Sequence, residues 1–92
     1  MTDILIIDDE RDIRELISEI LIDEGYTTRL AGTSDAAMRS IADERPAMLI
    51  LDIWLKDSAM DGIDILKSVK SNYPDIPVVI ISGHGNIEIA VA

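Results

Sequence analysis

Residues 4–10 read Ile4-Leu5-Ile6-Ile7-Asp8-Asp9-Glu10, and this stretch decides the fold. A strand with one face in water would alternate apolar and polar residues. An unbroken apolar run rich in β-branched side chains fits instead a strand covered by helices on both faces, as in a parallel sheet. The run stops abruptly at acids. Beyond it, Ile13, Leu16, Ile17, Ile20 and Leu21 recur at i, i+3, i+4, i+7 and i+8, the apolar stripe of a helix. Gly25 stands where such a helix commonly closes.

The same alternation continues along the chain. Residues 26–31 form a more polar strand candidate suited to a sheet edge. Thr33 or Ser34 can cap a second helix running to about Glu44, with Ala37, Met38, Ile41 and Ala42 as its inner face. Pro46 breaks the chain before a second buried run, Met48-Leu49-Ile50-Leu51, which ends in Asp52. After a loop over residues 53–61, Ile63, Leu66, Val69 and Tyr73 mark a third helix. Pro74 and Pro77 precede another apolar strand, Val78-Val79-Ile80-Ile81, followed by Ser82-Gly83-His84-Gly85. Ile87, Ala90 and Val91 read as the opening of a fourth helix. Strands alternating with helices in this way predict an α/β fold, a doubly wound parallel sheet with right-handed crossovers. Residues 1–92 are expected to form one domain, without repeats or an interdomain linker.

Composition narrows the function. The 92 residues are 48% hydrophobic but only 3% aromatic, so a packed core must be aliphatic. The net charge of −10 argues against direct contact with nucleic acid, because little here would neutralise phosphates, and favours a cation or a basic partner. With no cysteine there is neither a disulfide framework nor a thiolate zinc site. No basic n-region or signal-peptide core opens the sequence, and no apolar stretch reaches membrane-spanning length. The expected compartment is the cytoplasm, with no membrane partner.

Chemistry-bearing residues fall at the carboxyl ends of strands: Asp8 and Asp9 after the first, Asp52 after the third, Ser82 after the fourth. In open parallel sheets, ligands bind beyond these ends where the strand order reverses. If the second strand lies outside the first, the first and third are neighbours there, and Asp8, Asp9 and Asp52 converge. Crowded carboxylates need a cation or raised pKa values. All-oxygen ligands select a hard ion, and partly hydrated Mg²⁺ fits best. Asp52 could then attack phosphorus and carry an acyl phosphate. Taken singly, each residue has a plainer reading: Asp-Asp-Glu as N-capping and dipole compensation, Asp52 as a loop carboxylate, Ser82 as a turn residue. The weight lies in their common sheet edge and order.

The strands "ILIIDDE" and "LILDIWL", the helix opening "MDGIDILKSVK" and the strand "PVVIISGHG" together resemble the receiver domain of bacterial response regulators, collinearly over the whole chain. The resemblance implies a flavodoxin-like sheet of order 2-1-3-4 and phosphoryl transfer from a histidine kinase to an aspartate. Residue by residue, it implies that Asp52 is the phosphoacceptor, Asp9 the direct Mg²⁺ ligand and Asp8 the acid acting through water. It further implies the backbone carbonyl of Trp54 as the remaining protein ligand and Ser82 as the switch hydroxyl. A two-component phosphorelay of this kind would switch a downstream effector domain or dimer partner, here expected to regulate transcription.

Three features depart from the family pattern. The spacing from Asp52 to Gly62 is about two residues longer than usual and lacks the loop proline, so residues 56–60 are expected to bulge over the site. With "DIWL", this loop looks like the NtrX group of nitrogen regulators, which implies an ATPase that activates an alternative sigma factor and a DNA-binding domain downstream. Trp54 and His84 occupy the variable positions flanking the site; the Trp54 indole either shields the acyl phosphate from water or lies on the surface. Finally, the family's fifth strand, phosphate-pairing lysine, aromatic switch residue and last helix would all fall beyond Ala92. Lys56 sits in the wrong loop to replace that lysine. The domain is therefore expected to be incomplete at its C-terminal end. The fourth strand would then be an apolar edge open to pairing with another chain. The expectation is a truncated, poorly stable fragment, an ordered portion of a longer protein, or an exchange-type homo-oligomer.

Other functions fit less well. A Mg²⁺-dependent phosphatase using an aspartyl phosphate would need Asp-x-Asp, but position 54 is Trp. A flavin or nucleotide site would need glycines or hydroxyls after the first strand, where Asp8-Asp9-Glu10 would repel phosphate. A pseudo-receiver that only binds partners is disfavoured by the acidic set and kept open by the missing lysine. The expected chain is thus a signalling phosphoacceptor rather than an enzyme, one that assists its own phosphorylation and dephosphorylation.

Overall fold

The computed structural model describes residues 3–53, 61–82 and 88–91, with Ser82 and the final strand described by backbone alone. The elements are β1 (Asp3–Ile7), α1 (Arg11–Asp23), β2 (Thr27–Ala31), α2 (Ser34–Asp43), β3 (Met48–Asp52), α3 (Gly62–Asn72), β4 (Val78–Ser82) and β5 (Glu88–Val91). They build one sheet of order β2-β1-β3-β4-β5. The first four strands are parallel, in the flavodoxin-like order expected, with β2 at one edge.

Side-chain alternation sorts the apolar runs onto two faces. Leu5, Ile7, Leu49, Leu51 and Val78 point to one side, where Ala37 and Ile41 of α2 and Ile65 and Val69 of α3 cover them. Ile4, Ile6 and Ile50 point to the other, against Ile17 and Leu21 of α1. Every one of these strand residues is buried. The runs are continuous because both faces are dry.

Helix ends follow local chemistry. The Thr33 side chain accepts from the Ala36 amide at 3.2 Å and that of Asp61 from the Asp64 amide at 2.9 Å, satisfying donors that begin α2 and α3. Gly25, at φ 94°, takes the left-handed conformation that closes α1.

Several expectations are corrected. The segment read as the start of a fourth helix is instead β5, antiparallel to β4, with Val79 opposite Val91 and Ser82 opposite Glu88; Ile87 lies outside the described residues. Pairing satisfies the backbone groups along β4 that would otherwise face outward, and the β-branched Ile89 and Val91 suit a strand. The chain thus covers the β4 edge expected to be open, and the outer edge belongs to β5. On α1, Ile17 and Leu21 face the core, but Leu16 and Ile20 are more than half exposed. On α3, Ile65 is buried and Ile63 exposed; on α2, Ala42 is exposed. No helix among the described residues is long and apolar enough to cross a membrane.

Candidate metal and phosphoacceptor site

β1 and β3 lie side by side in register, Ile7 opposite Leu51. One step further along each strand stand Asp8 and Asp52, both almost fully buried at 5% and 8% exposure. The chain turns after Asp8, its amide bonding Ala31 O at 3.1 Å and its carboxylate accepting from the Glu10 amide at 2.8 Å. That turn brings Asp9 to the same place. Each of Asp8, Asp9 and Asp52 offers a carboxylate oxygen within 4.8 Å of the other two. Opposite ligands of one Mg²⁺ stand about 4.2 Å apart, so the trio needs little closing, or one bridging water, to share an ion.

The electrostatics agree. Burial pushes the Asp8 carboxyl up to about 6, and the charges of Asp52, Asp9 and Glu10 push the same way against the lowering hydrogen bond from Glu10. A cation at this point would relieve repulsion that the fold itself imposes.

Gly62 fixes the far wall. A Cβ there would lie 2.3 Å from Ile53 Cα and 2.6 Å from the Asp52 carbonyl oxygen. Only a glycine lets the first turn of α3 rest on the backbone at the end of β3, and Ile53 N also bonds Ile81 O at 3.1 Å. In the sequence Gly62 stands only as a spacing mark; its place directly after the capping Asp61, where no positive φ is needed, is the available signal of close approach. The expected roles of the Trp54 carbonyl, the Ser82 hydroxyl, the bulge over residues 56–60 and His84 lie outside the described residues or side chains.

Residues 4–92 match the response regulator receiver domain. The chain belongs to that family. Among curated relatives, this receiver domain is 54% identical over 90 residues to the nitrogen assimilation regulatory protein NtrX of Azorhizobium caulinodans, covering 98% of this chain and 20% of that protein. It is 39% identical to the sporulation initiation phosphotransferase F of Bacillus subtilis, covering 92% of this chain and 67% of that one. The crystal structure of the receiver domain of NtrX from Brucella abortus superposes with a TM-score of 0.87 at 51% identity, covering 91% of this chain and 70% of that chain. The receiver is therefore similar to NtrX proteins, as the "DIWL" loop suggested, and spans about a fifth of the NtrX relative's length. It is a signalling domain of the two-component type, a class that receives phosphoryl groups from histidine kinases.

Proposed function

We propose that Asp52 accepts a phosphoryl group from a histidine kinase, in a Mg²⁺ site formed with Asp8 and Asp9, and that the modification switches a downstream transcription-regulating effector. The observation that carries this is the convergence of the buried Asp8 and Asp52 with Asp9 within 4.8 Å. The donor set fits Mg²⁺, being all carboxylate oxygen and short of positive charge. When bound, Mg²⁺ would offset most of the trio's negative charge and supply Lewis-acid stabilisation of the charge on an incoming phosphoryl group. An Asp52 carboxylate oxygen forms the new bond to phosphorus. The bond from phosphorus to the kinase histidine nitrogen breaks, and that nitrogen keeps the electron pair and takes a proton. Asp9 is read as the direct metal ligand and Asp8 as the acid acting through water, with the Trp54 carbonyl completing the protein ligands. The Ser82 hydroxyl is read as moving to bond the phosphoryl oxygens. In this reading the domain assists its own phosphorylation and dephosphorylation and works in the cytoplasm.

The proposal treats residues 1–92 as one receiver domain, and the family match over residues 4–92 supports this. The effector identity rests on the likeness to NtrX, whose name describes a nitrogen assimilation regulator.

The test is incubation with acetyl phosphate and Mg²⁺ followed by intact-mass measurement. One added phosphoryl group is expected on the wild type and none on Asp52→Asn. An equal adduct on the variant would refute Asp52 as acceptor, and rapid substrate turnover without an adduct would favour a phosphatase.

A further inference from the structure

Arg14 reaches from α1 to the end of β1 and donates from Nη1 to the backbone carbonyl of Asp8 at 2.7 Å. Its guanidinium rests on Gly32, just past β2, where a Cβ would stand 2.8 Å from Nη1 and 3.3 Å from Cζ. One cationic side chain is thus wedged between the loops leaving β1 and β2. By charge alone, a cation beside an acid trio would oppose Mg²⁺ binding. Its direction says otherwise: the guanidinium is committed to a carbonyl, where its donor bonds a neutral acceptor and fixes a peptide plane.

That plane is the Asp8–Asp9 peptide. The Asp8 amide is held by Ala31 O, the Asp8 carboxylate by the Glu10 amide, and the Asp8 carbonyl by Arg14. Rotation of this peptide would swing Asp9 relative to Asp52, and the Arg14 bond to the Asp8 carbonyl opposes it.

We propose that Arg14 is a positioning residue for the acid trio: it locks the Asp8–Asp9 peptide so that Asp9 faces a divalent cation together with Asp52, and Gly32 supplies the space this requires. The inference rests on the metal-site reading above. It also separates two uses of glycine, because Gly32 needs no positive φ and, among the described residues, the atoms that crowd it belong to the flexible end of Arg14. Gly32→Ala should therefore displace the guanidinium without removing its charge.

The test has two readouts on the full chain. Mg²⁺ affinity is measured by calorimetry, and the Asp8 carbonyl ¹³C shift by NMR on metal-free protein. Arg14→Ala and Gly32→Ala are expected to weaken Mg²⁺ binding roughly five- to twentyfold and to move the carbonyl shift upfield, as one hydrogen bond is lost. Arg14→Lys should restore affinity to within about threefold, because an ammonium can donate to the same oxygen. Equal or tighter Mg²⁺ binding by Arg14→Ala would overturn the proposal, as would a loss shared equally by the Ala and Lys variants, or an unmoved carbonyl shift. Wild-type protein that binds no Mg²⁺ would instead remove the metal site itself, and this inference with it.

Discussion

At the scale of the residue, the site is an electrostatic problem left deliberately unsolved by the protein alone. Asp8 is raised to about 6 from 3.8, chiefly by burial. A carboxyl raised in the folded state binds its proton more tightly there than in the unfolded chain. In metal-free protein its destabilising effect is therefore absent below about pH 4, grows between about 4 and 6, and is complete above that. Its full size is on the order of 2–3 kcal/mol. Asp8→Asn should stabilise the metal-free chain at pH 7.5 and give no gain at pH 3.5, as read by denaturant unfolding. An equal gain at both pH values would contradict the assignment. Mg²⁺ must compete with the same proton, so its affinity for wild-type protein should fall as pH drops below about 6. Gly62 belongs to this scale too. Gly62→Ala would press a Cβ to 2.3 Å from Ile53 Cα, so backbone rather than a side chain must move. A loss of about 2 kcal/mol or more in stability is expected, together with slower Asp52 phosphorylation; thermal melts and adduct kinetics check both.

At the scale of the element, β2 and α2 are tied to β1 by one arginine. Arg29 Nε lies 2.9 Å from Asp3 Oδ2, Nη1 bonds Ser40 O at 2.7 Å and Oγ at 2.8 Å, and Nη2 bonds Glu44 O at 2.6 Å. A partly buried guanidinium satisfying the carbonyls at a helix end does both capping and dipole work. Arg29→Ala is expected to lower stability by about 1–3 kcal/mol. Arg11→Ala, which breaks only the exposed pair with Glu15, should change it barely. Urea unfolding of the two variants makes the comparison, and equal effects would contradict this account. The strands were legible in the sequence because double-sided burial leaves unbroken apolar runs such as Met48-Leu49-Ile50-Leu51. The helices were legible in place but not in facing. Periodicity gives the angle of a stripe, not which half of it a neighbour covers, so Leu16 and Ile63 read as core and are exposed. Ser18 is buried on α1 through a 2.6 Å bond to Thr28, a polar solution that an apolar pattern cannot reveal. Residues 88–91 misled because a short apolar segment carries no clear period, and pairing with β4 decides its form.

At the scale of the whole molecule, the acid trio was legible because strand ends and topology together fix where side chains meet. Asp8 follows β1 and Asp52 ends β3, and adjacency of those strands follows once β2 lies outside. What pattern could not supply was the support around them, Gly62 against the β3 backbone and Arg14 on the Asp8 carbonyl, since both depend on contacts between distant segments. A chain of net charge −10 should gain some stability from any salt, but a shared ion predicts more. At a Mg²⁺ concentration of 100 times its dissociation constant, the folded state gains about 2.7 kcal/mol by mass action. Monovalent salt at equal ionic strength should give far less. Calorimetric titration of Mg²⁺ into wild type, Asp9→Asn, Asp52→Asn and the double variant tests the shared ion most directly. The account predicts one ion per chain, at least a tenfold loss from either single change, and a double loss well short of the product. Full affinity in either single variant, or losses that simply multiply, would contradict it.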